Sequence, residues 1–137
     1  MPTPGTLQIK SVMHPFPHSV GRDQTADIAL RMMQEHNIRH LPVQDAGVLV
    51  GILSDRDINF ALRMDRCDPA HLAVRDMQTA EPFVVEPETP VAKVAARMAH
   101  DHLGCALVVE NQKLVGIFTT VDACRLLSEV LSGNLDQ

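Results

Sequence analysis

Two short stretches hold the side chains best placed to do chemistry. In one, Ser54 is followed three residues later by Asp57; in the other, Thr119 is followed three residues later by Asp122. Each pair ends a glycine-led apolar run, Gly51-Ile52-Leu53 and Gly116-Ile117-Phe118, so each hydroxyl stands where a strand turns into a helix. The chemistry open to such a pair is hydrogen bonding. The hydroxyl accepts from a backbone N–H that the first helical turn leaves free, and the carboxylate reaches back to the amide of the capping residue. On spacing alone two readings stand side by side: a box that only fixes a helix start, or a ligand-binding pair at a helix N-terminus. No nucleophile–base pair accompanies them, so no catalytic residue is expected and the chain reads as a non-enzyme.

The two stretches are copies. Gly51 and Gly116, Ser54 and Thr119, and Asp57 and Asp122 all stand 65 residues apart. A repeat this strict governs the reading of everything else. The 137 residues suffice for one domain or for two small halves that share a core. A net charge of −5 argues against a nucleic-acid surface, and without Trp or Tyr there is no platform for stacking several bases. Cys67, Cys105 and Cys124 form no C-x-x-C pair, which suits reduced thiols in a cytoplasmic protein. Residues 1–10 lack the apolar run of a signal peptide, and no stretch is apolar enough to span a bilayer.

The elements that must position the two pairs follow from hydrophobic spacing. Thr25 is expected to cap a helix over 25–36, with Ala29, Met32, Met33 and His36 on its core face and Asn37 as a left-handed stop. Residues 38–43 and 48–53 read as strands joined by a turn, the second apolar enough to be buried on both faces. A helix over 54–64 and a linker over 65–70 close the first half. In the second half, 72–77 matches 9–13 and a short strand covers 82–85. Thr89 caps a helix that Gly104 ends, strands cover 105–109 and 114–118, and a helix runs over 119–131. Each half is thus β-α-β-β-α. The whole is an α+β or α/β fold of two repeats, 1–66 with a short N-terminal arm and 67–137, packed sheet to sheet with helices outside as one pseudo-twofold module. Neither half alone buries much.

Arg39 and His40 lead the strand over 38–43, and Arg56 lies inside the Ser54–Asp57 turn. Their counterparts 65 residues on are Gly104, Cys105 and Val121, none of which carries charge. The seven histidines pair only loosely: His36 with His40, His14 with His18, His100 with His102. None joins a cysteine in a recognised ligand set, so no metal site is expected.

These residues also resemble a family. Ile38-Arg39-His40-Leu41-Pro42-Val43, the run from Leu49 to Ile58 and the β-α-β-β-α order resemble a CBS (cystathionine-β-synthase) domain. Two in tandem resemble a stand-alone CBS pair, covering about residues 9–131. The second repeat departs from the pattern at Leu103-Gly104-Cys105-Ala106-Leu107. The resemblance implies a regulatory module that binds an adenosine-containing ligand, AMP, ADP or ATP foremost, in a cleft between repeats and signals to an effector protein. S-adenosylmethionine or NAD(H) sensing, or a ligand-free scaffold subunit, are the alternatives. It implies that Ser54 and Thr119 face phosphate or ribose, that Asp57 and Asp122 hold ribose hydroxyls, and that Arg39, His40 and Arg56 meet phosphate. The Ser54–Asp57 site is then the better phosphate binder. It also implies a homodimer formed through helical faces, with Met32, Met33, Leu62 and Leu126 as contact candidates.

Overall fold

The computed structural model describes residues 4–66 and 68–133. Cys67 and the end of the polar tail lie outside the described residues. The chain divides into two compact units, His18–Pro82 and the residues up to Pro17 together with Phe83 onward.

In the first of these, strands β2 (Val20–Gly21), β3 (His40–Asp45) and β4 (Val48–Ser54) form a sheet in that order, with helices α1 (Ala26–His36) and α2 (Asp55–Asp65). β2 runs parallel to β3, and β3 pairs antiparallel with β4 in the register His40↔Ser54 and Leu41↔Leu53. The β3–β4 hairpin turns through Ala46 and Gly47, both at positive φ (50° and 83°), the handedness that two-residue hairpins require. Asn37 is left-handed and stops α1, as its type suggests. Along α1, Ala29 and Met33 are buried and Met32 packs partly against them, whereas His36 is exposed.

The other unit holds β1 (His14–Pro15), β5 (Val84–Val85), β6 (Cys105–Glu110) and β7 (Lys113–Thr119), in the sheet order β1-β7-β6-β5, with helices α3 (Val91–Asp101) and α4 (Thr120–Leu131). Its core gathers Leu7, Ile9, Val94, Met98, Val108 and Phe118. The β6–β7 hairpin repeats the β3–β4 register 65 residues on, Cys105↔Thr119 matching His40↔Ser54. The expected β-α-β-β-α order therefore appears twice, in a mixed α and β fold.

The compact units do not coincide with the sequence repeats. The leading segment of each repeat joins the sheet of the other. His14 of β1 pairs with Ile117 of β7. Thr79 bridges Ile52 of β4 in both directions, at 2.9 and 3.0 Å. Leu72, Val74 and Met77 belong to the core that contains Leu41, Val43, Leu53 and Ile58.

Four local expectations are corrected. Thr25 sits at the N-cap of α1, yet its hydroxyl bonds Asp27 Oδ1 and caps no amide. α3 starts after Pro90 rather than after Thr89, because the geometry of Thr25 recurs 65 residues on at Pro90. α3 ends at a left-handed His102, the counterpart of Asn37, and not at Gly104. β4 is not buried on both faces: Gly51 and Leu53 are buried, Val50 and Ile52 are half-buried and Val48 is 61% exposed. The contact candidates are buried to different degrees. Met33 is buried, and Met32, Leu62 and Leu126 pack partly against the cores.

Candidate ligand sites at two strand-to-helix turns

The β4–α2 turn forms a complete capping box. The Asp57 amide donates to Ser54 Oγ at 3.1 Å, and the Ser54 amide donates to Asp57 Oδ2 at 3.0 Å. The box uses one oxygen of the carboxylate. Oδ1 accepts nothing among the described residues, so a half-buried acceptor stands beside a helix N-terminus.

β3 brings the basic residues to the same place. The Asp55 amide donates to the Arg39 carbonyl at 3.0 Å, and His40 lies opposite Ser54 in the sheet. His40 is half-buried. Loss of solvent holds its pKa below the ordinary histidine value of 6.5, Asp55 and Asp57 pull it back up, and Arg39 lowers it further. These four groups therefore share one electrostatic neighbourhood, in which desolvation favours the uncharged imidazole. Arg39, His40, Ser54 and Asp57 are brought together. Arg56 is exposed on the first turn of α2.

The β7–α4 turn has the same box in a different electrostatic state. The Asp122 amide donates to Thr119 Oγ1 at 3.3 Å; the Thr119 amide and hydroxyl both donate to Asp122 Oδ2, at 2.9 and 3.1 Å. Here Oδ1 is also taken, by Arg125 Nη1 at 3.1 Å. Opposite Thr119, where the other turn has His40, Cys105 is buried and burial pushes its thiol up to about 12. Sequence reasoning missed Arg125, because it compared only the positions matching 39, 40 and 56. The signal that could have found it is the Asp122-x-x-Arg125 spacing, an acid–base pair one helical turn apart.

Among the described residues, no group of three or more His, Cys, Asp or Glu is arranged to hold a metal ion. His36 stacks on His18, with ring centroids 3.6 Å apart and 13° between planes, instead of pairing with His40. An open depression beside Glu86, Glu88, Glu110 and the Asn111–Gln112 turn lies at the far end of β6 from Thr119, away from Asp122. No helix among the described residues is long and apolar enough to cross a membrane.

Comparison with known proteins gives a consistent result. The family model for the CBS domain matches residues 9–63 and 74–129. A CBS domain-containing protein of Dictyostelium discoideum is 30% identical over 134 residues, covering 90% of this chain and 92% of its own. The chain also matches longer enzymes, of which it spans only 20–24%. Among solved structures, an acetoin utilization protein (AcuB) from Vibrio cholerae superposes with a TM-score of 0.85 at 26% identity, over 96% of this chain and 98% of that one. The CBS domain pair of protein MJ0100, in complex with 5′-methylthioadenosine and S-adenosyl-L-methionine, superposes at 0.80 with 27% identity, over 90% and 97%. CBSX2 in complex with AMP superposes at 0.75 with 26% identity, over 90% and 97%.

Proposed function

The chain belongs to the CBS domain family, and on that premise we propose that it is a non-catalytic cytoplasmic sensor of an adenine nucleotide, AMP, ADP or ATP, that signals to an effector protein. The observation that carries this reading is Oδ1 of Asp57, to which no described residue donates. Capping and ligand binding compete for a carboxylate only if the cap consumes both oxygens, and here it consumes one. A vicinal diol can donate to such an oxygen, and phosphate suits the helix N-terminus and Arg39 close by. Two similar structures hold adenosine compounds, which supports the same ligand class.

A thermal-melt screen with AMP, ATP, S-adenosylmethionine and NADH tests the reading. A ligand present at a hundred times its dissociation constant adds about 2.7 kcal/mol. Asp57→Ala is expected to lose about 1 kcal/mol of stability with the cap and about 1.5–3 kcal/mol of binding with the charge-assisted bond. A lower melt with unchanged affinity makes Asp57 a cap only. No shift with any adenosine compound favours the ligand-free scaffold.

The sensor acts as a homodimer. Phe60 and Met64 on α2 and Val121, Leu127 and Leu131 on α4 are exposed, more apolar surface than solvated helices need. Light scattering at micromolar concentration is expected to give twice the mass of one chain; the mass of a single chain refutes it.

A further inference from the structure

The two turns share a motif and differ in the state of its carboxylate. In both, Oδ2 of the aspartate holds the capping amide. Oδ1 is what remains for a ligand. Among the described residues nothing donates to it at Asp57; at Asp122 it carries the Arg125 guanidinium. The residue that matches Arg125 65 positions earlier is Phe60, which cannot make this bond. We propose that Arg125 sets the selectivity of the second turn by competing with a ribose diol for Asp122. This deepens the adenosine reading above and rests on it.

The competition is a bias and not a block. Arg125 is 65% exposed and Asp122 14% exposed, so the pair is half in solvent and a ligand can displace the guanidinium. Exposed ion pairs of this kind shift an equilibrium by about two- to fivefold. A neutral nucleoside, which offers the guanidinium no anion in exchange, bears that whole cost. The Ser54–Asp57 turn bears none of it, so adenosine prefers that turn even with no phosphate to attract Arg39.

Adenosine is the probe, and two arms read the effect. In Asp57→Ala protein, which isolates the second turn, Arg125→Gln is expected to tighten adenosine binding about two- to fivefold. That gain vanishes near 1 M salt, where charges are screened within about 3 Å. In otherwise unchanged protein, Phe60→Arg installs the competitor at the first turn and is expected to weaken the tighter adenosine event by a similar factor. Phe60 is 66% exposed, so the substitution spares the core; light scattering on the variant separates loss of the dimer from loss of the free carboxylate oxygen, and this arm stands even if Asp57→Ala fails to fold. Adenosine affinity unchanged in both arms overturns the role of Arg125 alone. Weaker adenosine binding in Arg125→Gln also overturns it, by making the guanidinium a ligand contact. If adenosine fails to bind the unsubstituted protein, the adenosine reading falls and this one with it.

Discussion

His40 ties the first turn to pH. The fold holds its pKa below 6.5 chiefly by desolvation, so the folded chain takes up this proton at lower pH than the unfolded chain does. Below about 6.5 the unfolded chain binds more protons, and folding stability falls as pH falls. His40→Gln removes that proton. Urea melts at pH 7.5 and 5.5 are therefore expected to show a smaller loss for His40→Gln than for the unsubstituted protein; equal losses would place the pH dependence elsewhere. At this scale much of the site could be read in the sequence. Arg39, His40, Ser54 and Asp57 sit at fixed places along a strand–turn–helix path, and backbone geometry alone brings them together. What could not be read is which carboxylate oxygen is occupied. The sequence shows Phe60 and Arg125 at i+3, but the bond itself depends on the side-chain torsions of Asp122 and Arg125, which spacing does not fix.

At the scale of elements, the 65-residue period carried more than the motif that revealed it. It holds at the N-caps Thr25 and Pro90, the left-handed stops Asn37 and His102, and the hairpin register. Local propensity named Thr89 and Gly104 instead, since Thr is a good cap and Gly a good stop. Pro90 and His102 took those places: the Val91 amide is held by the Leu7 carbonyl at 2.8 Å, and the His102 amide closes α3 on the Met98 carbonyl. The same period places Gly51 and Gly116 under the two exchanged segments, with unequal tolerance. A Cβ at Gly51 would lie 2.6 Å from the Thr79 carbonyl oxygen, which is held in a backbone bridge and cannot yield. At Gly116 the obstacle is the Met13 side chain, which can change rotamer. Gly51→Ala is expected to cost about 1–3 kcal/mol and Gly116→Ala clearly less. Chemical denaturation of both variants checks the order, and equal costs would mean that the bridge moves as readily as a methionine.

At the scale of the molecule, the exchange of leading segments decides what can fold. The sequence displays two repeats, each complete in its β-α-β-β-α order, and nothing in that order says that the segment before a repeat belongs to the other sheet. The pairing of 72–77 with 9–13 showed that the segments are equivalent, but equivalence does not show where they dock; long-range contacts leave no local spacing to read. The physical consequence is specific. A fragment of residues 1–66 has every strand of the β2-β3-β4 sheet and both of its helices, yet lacks Leu72, Val74 and Met77, which are at most 8% exposed in its core, and lacks the Thr79 bridge to β4. Each such side chain contributes about 1.5–3 kcal/mol of burial, and a domain is stable by only about 5–15 kcal/mol in all. Losing three removes about 4.5–9 kcal/mol, most of that stability. A fragment of residues 18–82 drops the arm and β1 but keeps all three side chains and the bridge, and it matches a compact unit. The two fragments are nearly the same length, so the comparison controls for size. The 18–82 fragment is expected to show a cooperative melt and dispersed amide resonances, and the 1–66 fragment neither. If 1–66 melts as cooperatively as 18–82, the sequence repeat rather than the exchanged unit is what folds.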